Sequence, residues 1–193
     1  MHVLAFGTGN NEKFAIGRDA CREAAIELQQ VSLDVEEIQG EDMSAIAIDK
    51  ARRAYAVYGR PLIISDDSWA IPGLGGFPGA YMKSINHWFS TQDLINLTSR
   101  LADRRIILKQ TIVYIEADTV QLFSSDNNGI LVTTPRGEYG KASHKLVVLD
   151  GDNGLTMAEV LDISTNHATR STAKVWHEFA VWYKDSNVRR SSE

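Results

Sequence analysis

Two adjacent carboxylates, Asp66 and Asp67, follow Pro61-Leu62-Ile63-Ile64 and a serine. The expected place for them is the end of a buried strand, where open α/β sheets put their ligands. Carboxylates a few ångströms apart repel and raise one pKa unless a cation joins them. Magnesium meets that need with one or two carboxylates, several waters and substrate phosphate oxygens. A glycine-rich segment, Gly73-Leu74-Gly75-Gly76-Phe77-Pro78-Gly79, comes next, with Lys83 beyond it. The combination reads as a magnesium-phosphate site. The plainer reading is one helix-capping Asp beside one surface Asp.

A second segment supports the first. Thr8-Gly9-Asn10 follows the apolar run Val3-Leu4-Ala5-Phe6, and Lys13 lies three residues on. A turn from strand into helix gathers free N–H groups and the positive helix end at one point. Gly9 lets the backbone approach an anion closely, Thr8 and Asn10 add neutral donors, and Lys13 adds a charge. The structural alternative is a capped turn, which every helix needs. The spacing is not that of a P-loop. Glu41, after Gln39-Gly40, is either a further metal ligand or a first-turn helix charge. Lys50 sits among alanines and is either a phosphate contact or a solvated residue.

The elements that must position these groups are legible in outline. Val3 to Phe6 is a strand. A helix capped by Asn10 runs to about Gln30, and Val31, Leu33 and Val35 alternate as a half-buried strand. Ser44 to Tyr58 is a second helix, stopped by Gly59-Arg60-Pro61, and Leu62 to Ile64 is a central strand. A second part begins after Gly79, with helices over Tyr81–Phe89 and Thr91–Leu101, the latter capped by Thr91. Strands are expected at Ile106–Ile115, Thr119–Phe123, Ile130–Thr134 and Leu146–Leu149. Asn127-Asn128-Gly129 and Gly151-Asp152-Asn153-Gly154 read as turns. A final helix covers about Ala168 to Tyr183. The order implies one α/β domain over 1–193, with a mixed sheet flanked by helices. Two lobes are expected, changing near 80–100, with a ligand cleft between them.

Bulk properties narrow the partners. A formal charge of −5 over 193 residues argues against a nucleic-acid partner. The single cysteine, Cys21, builds neither a disulfide framework nor a cysteine-rich metal site, and reads as a small core residue. The sequence shows no signal peptide and no apolar run of membrane-spanning length, so a cytoplasmic location is expected.

Taken together the segments resemble the inosine triphosphate pyrophosphatase family. Thr8-Gly9-Asn10 with Lys13, Gly40-Glu41, Lys50-Ala51, Asp66-Asp67-Ser68 and Leu74-Gly75-Gly76-Phe77-Pro78-Gly79-Ala80-Tyr81 follow its motifs in order. Lys83, Pro135-Arg136-Gly137 and Thr156-Met157-Ala158-Glu159 match as well. The resemblance implies an elongated mixed sheet, a homodimer, and magnesium-dependent hydrolysis of a ribo- or deoxyribonucleoside triphosphate, that of a non-canonical purine, to monophosphate and pyrophosphate. It implies Glu41 and Asp67 as metal ligands, and Asp67, Lys13 and Asp66 as the catalytic residues, with Asp67 activating water and Asp66 assisting. Thr8, Gly9, Asn10, Lys13, Lys50 and Lys83 would hold phosphates, with Ser68 on the phosphate or sugar side.

The base-reading half departs from the family. Where the family carries an aromatic stack and a base-binding Asp, this chain reads Lys141-Ala142-Ser143-His144-Lys145. Near the C-terminus Asn166-His167-Ala168-Thr169-Arg170 keeps only the arginine of Ser-His-Arg. Arg170 either binds a phosphate or base oxygen or forms a surface ion pair. His144, His167 and Trp176 are candidates for a different base pocket, with a surface or packing role as the plainer reading of each. The base choice is therefore expected to be altered or relaxed, and a nucleotide-binding protein without turnover is the alternative.

Overall fold

The structure, a computed structural model, describes residues 2–163 and 170–190, with side chains for 3–163 and 170–186. Thirteen main elements follow in order: β1 (His2–Gly7), α1 (Asn11–Glu23), β2 (Ile26–Val31), α2 (Met43–Tyr58), β3 (Leu62–Ala70), β4 (Pro78–Gly79), α3 (Met82–Trp88), α4 (Thr91–Thr98), β5 (Arg105–Glu116), β6 (Thr119–Leu131), β7 (Val147–Leu149), α5 (Met157–Ile163) and α6 (Lys174–Arg190). Among the described residues they form one seven-stranded sheet in the order β2-β1-β3-β5-β6-β7, with β4 paired to β3. The sheet is mixed: β2, β1 and β3 are parallel, while β3–β4 and β6–β7 are antiparallel.

The chain divides into two compact units. The first holds Met1–Asp66, Gln110–Ser125 and Asn166–Glu193; the second holds Asp67–Lys109 and Asp126–Thr165. The first boundary between these units falls between Asp66 and Asp67, and β3, β5 and β6 each contribute to both units.

In the first unit strand alternation decides which residues face which helices. Ile63, Ile112 and Tyr114 pack with Val175, Trp176 and Phe179 of α6 and Ile16 and Cys21 of α1. Leu62, Ile64, Val113 and Ile115 pack instead with Ala47, Ala51 and Ala54 of α2. Three alanines on one helical face let α2 approach the sheet closely. Cys21 is buried there, and burial pushes its thiol up to about 12, so it is a core residue. The second unit has its own core: Trp69, Ile71, Met82, Ile85, Leu94, Ile106, Leu108 and Leu146.

Several boundaries differ from the sequence reading. Helix α1 ends at Glu23 instead of near Gln30, since Ala25 takes a left-handed φ of 59° and the next residues pair with β1. The helix-forming letters of Ile26-Glu27-Leu28-Gln29-Gln30 yield to burial of Ile26 and Leu28 in the sheet. Asn127-Asn128-Gly129 is not a turn but strand, and Gly129 lies opposite Leu149. A Cβ on Gly129 would stand 2.4 Å from the Val148 carbonyl oxygen, so the glycine serves close strand approach. Helix α4 is capped by Ser90, not Thr91, through a reciprocal box with Asp93. Helix α6 starts at Lys174, after a short 3-10 turn at Ser171–Ala173; Ala168 and Thr169 lie outside the described residues.

Candidate functional site

The Thr8 turn is built by capping chemistry. Asn10 Oδ1 accepts from the N–H groups of Glu12 and Lys13, at 2.9 and 3.2 Å, and starts α1. The Thr8 hydroxyl accepts from the Asn10 N–H at 3.1 Å. The Thr8 backbone is braced on both sides by the end of β2: its N–H donates to Val31 O at 3.0 Å, and its carbonyl accepts from Gln30 Nε2 at 3.1 Å. The turn is therefore rigid before anything binds.

Gly9 behaves differently from its neighbours. It is exposed, and a Cβ placed on it would meet nothing within 4 Å. Its φ is not positive. Neither internal packing nor backbone conformation requires glycine there.

Parallel pairing brings Asp66 toward this turn. Gly7, the last residue of β1, lies opposite Ile64. Ser65 and Asp66 are the next two residues of β3, so Asp66 stands about 7 Å along the strand from that last pair. The acids lie inside β3 rather than at its end: pairing with β1 runs to Ile64, and pairing with β4 occupies Trp69 and Ala70. They occupy the span between the two partners. Both are half-buried. Adjacent strand positions send side chains to opposite faces, so Asp66 and Asp67 are not a ready-made chelate.

The remaining expected residues are distributed as follows. Glu41 is exposed, just before Asp42, the residue that caps α2 through the Ser44 and Ala45 N–H groups. Lys50 on α2 is ion-paired with Glu37. Lys13 is half-buried in the first turn of α1. The Arg170 side chain forms an ion pair with Glu12 of that same turn at 3.9 Å, with the arginine buried at 7% exposure and Glu12 half-buried. All of these belong to the first unit. In the second, Ser68 is buried at 1% exposure and Lys83 is exposed on α3. Among the described residues no group of three or more His, Cys, Asp or Glu side chains converges as a metal cage. The donors present are hard carboxylate oxygens, the kind magnesium takes one or two at a time.

Two base-pocket candidates prove to be interior residues. Trp176 packs edge-on to Phe6 at 4.8 Å, and a Cβ on Gly17 would stand 2.8 Å from its ring. His144 is buried, and burial, helped by Lys141, holds its imidazole down to about 4. The third, His167, lies outside the described residues.

Pro135-Arg136-Gly137 and Thr156-Met157-Ala158-Glu159 turn out to hold each other. The Thr156 hydroxyl donates to the Arg136 carbonyl at 3.0 Å, and Arg136 Nε donates to Glu159 at 3.0 Å. Glu159 also accepts from the Thr156 N–H at 2.8 Å. Gly137 has a φ of 83°, and a Cβ there would lie 2.6 Å from Ala158 Cβ. Asp162 then accepts from the N–H groups of Glu138 and Tyr139, at 3.0 and 3.1 Å.

These features define a mixed α/β protein with a braced strand-to-helix turn whose neighbouring strand carries Asp66. A model described as the Ham1 family matches residues 4–175, and the chain belongs to that family. It is 28% identical over 191 residues to a dITP/XTP pyrophosphatase of Methanopyrus kandleri, covering 98% of this chain and 100% of that one. It is 31% identical over 166 residues to inosine triphosphate pyrophosphatase 2 of Trypanosoma cruzi, covering 86% and 84%. Its fold matches a HAM1 protein from Coxiella burnetii at a TM-score of 0.78 and 20% identity, over 96% of this chain and 100% of that one. No helix among the described residues is long and apolar enough to cross a membrane.

Proposed function

We propose that this chain, a nucleoside triphosphate pyrophosphatase of the Ham1 family, hydrolyses a nucleoside triphosphate to the monophosphate and pyrophosphate in a magnesium-dependent reaction that cleans the nucleotide pool. The observation that carries the reading is Gly9: an open, unstrained glycine on a rigid turn, next to a strand bearing two half-buried acids. A missing side chain that the fold does not require makes room for something outside the chain.

Roles follow from chemistry. The positive end of α1, with Lys13, holds the triphosphate, and Lys50 and Lys83 add positive charge. Lys50 exchanges Glu37 for phosphate. Glu41 and Asp67 would hold magnesium, which would supply neutralisation of phosphate charge. Asp67 accepts the proton of a water that attacks the α-phosphorus, Asp66 assists, and the bond to the β-phosphate oxygen breaks, releasing pyrophosphate. Ser68 supports the same strand segment from its buried position. Positioning and charge neutralisation carry such phosphoryl chemistry.

A homodimer and a cytoplasmic location complete the proposal. The exposed apolar side chains Phe77, Tyr81 and Trp88 before and on α3 suit a self-association surface, which sedimentation at two concentrations checks.

The direct test is pyrophosphate release from a panel of purine and pyrimidine triphosphates, with magnesium and with a chelator. Turnover that stops on chelation is expected. Tight nucleotide binding without release would make the chain a nucleotide-binding relative instead.

A further inference from the structure

Gln30, half-buried near the end of β2, turns both donors of its amide toward the Thr8 segment. Its Nε2 donates to the Thr8 carbonyl at 3.1 Å and to Asn11 Oδ1 at 3.2 Å. A side-chain amide carries two N–H donors, so both are engaged. A backbone carbonyl only accepts, so the nitrogen of Gln30, and not its oxygen, must face Thr8. The two residues lie 22 positions apart in the chain. Parallel pairing of β1 with β2 brings them together, with Phe6 opposite Gln30 and Gly7 opposite Val31.

The consequence falls on the peptide between Thr8 and Gly9. A trans peptide is planar, and its C=O and N–H point in opposite directions. The Thr8 carbonyl and the Gly9 N–H belong to one such plane. With the carbonyl held by Gln30, the Gly9 N–H is turned away from Gln30. Of the three N–H groups of Thr8, Gly9 and Asn10, two are taken inside the protein. The Thr8 N–H donates to Val31 O, and the Asn10 N–H donates to the Thr8 hydroxyl. The Gly9 N–H makes no hydrogen bond among the described residues, and Gly9 is exposed.

The opposite orientation is open to this peptide. A half-turn of the Thr8–Gly9 plane changes only ψ of Thr8 and φ of Gly9. Glycine adopts φ of either sign, so Gly9 does not oppose the flip. A Cβ on Gly9 would meet nothing within 4 Å, so packing does not oppose it either. The flipped peptide would present the Thr8 carbonyl oxygen to a phosphate in place of an N–H donor. The freedom that makes room for a ligand at Gly9 therefore needs a separate group to fix the direction of the donor.

We infer that Gln30 is a positioning residue for the reaction: it locks the Thr8–Gly9 peptide with the Gly9 N–H outward, as a donor to a phosphate oxygen. Gln30 does not touch the substrate and acts through Gly9. Its second bond, to Asn11 Oδ1, ties the same amide to the first residue of α1, so the lock and the helix start move as one. This rests on the reading of the Thr8 turn as a triphosphate site.

The test uses the full chain with isotope-labelled glycine, 14 residues in all, observed by amide NMR. Inorganic tripolyphosphate with magnesium is the probe, and calorimetric titration gives its affinity. Loss of one signal in Gly9→Ala identifies Gly9. In the unmodified chain tripolyphosphate should move the Gly9 amide proton downfield. Gln30→Met keeps the side-chain length and removes both donors. Its Gly9 signal should shift or split before any probe is added, and affinity should fall about tenfold. Gln30→Glu sets an acceptor beside the Thr8 carbonyl, so the flipped peptide gives its N–H to the new carboxylate. Its Gly9 proton should lie downfield without the probe and stay there when the probe is added. A role in folding alone would lower the urea midpoint and leave the Gly9 signal and the affinity of the folded chain unchanged. A Gly9 signal like that of the unmodified chain in both variants overturns the inference, as does affinity within about twofold in both. Failure of the unmodified chain to bind tripolyphosphate overturns the triphosphate reading instead.

Discussion

Gly9 and Gly137 sit in two motifs of similar appearance, and the structure gives them opposite duties. A side chain on Gly9 would touch nothing within 4 Å; one on Gly137 would lie 2.6 Å from both Ala158 Cβ and the Glu159 nitrogen, at a φ of 83°. The Gly137 segment is closed on itself by Arg136, Thr156, Glu159 and Asp162. The Gly9 segment is braced from behind by Val31 and Gln30, and its front is left open. Matching a family motif therefore has two physical causes. One glycine keeps a loop on a helix, and the other leaves open space on a braced turn.

Substitutions can break this contrast, and the largest effect belongs to the acid strand beside Gly9. Asp67→Asn removes a carboxylate charge and the water's proton acceptor. Its kcat should fall by about 10²- to 10³-fold, while circular dichroism shows a folded protein. Turnover within tenfold of the unmodified chain would remove Asp67 from the chemistry.

Gly137→Ala should act on stability. Left-handed strain and a clash against helix backbone together cost roughly 3 kcal/mol, read as a lower urea midpoint. An unchanged midpoint would mean that the loop is not locked on α5.

The second region also carries a pH dependence. His144, next to Gly140 in the same loop, is held neutral down to about 4 from an ordinary 6.5. The unfolded chain binds that proton more readily. The stabilisation is fully present above pH 6.5 and is lost as pH falls through about 4. The loss is on the order of 3 kcal/mol. His144→Gln should flatten that part of the stability profile, as urea melts at a series of pH values would show. An unaltered profile would mean that another group titrates.

The turn at Thr8 was legible in the sequence because capping is local: Asn10 needs only the next three residues to start a helix. The Ham1 motifs were legible because they are contiguous. What the sequence hid was non-local. Nothing in Ile26-Glu27-Leu28-Gln29-Gln30 announces a strand; pairing with β1 imposes it. Asn127-Asn128-Gly129 carries turn letters, yet closeness to Val148 and Leu149 makes Gly129 a strand residue. Asp66 and Asp67 read as a strand end because acids follow an apolar run, although β3 continues to Ala70. Trp176 invites a stacking role by its chemistry, and only its burial against Phe6 and Gly17 removes it.

Gly9→Ala, measured for urea stability and for kcat/KM of pyrophosphate release on the same preparation, tests the central claim. Open space and an ordinary φ predict a stability change within about 0.5 kcal/mol. A methyl group crowding the bound phosphates should lower kcat/KM about tenfold. Stability and turnover falling together, or turnover left intact, would contradict the assignment of this turn to a ligand.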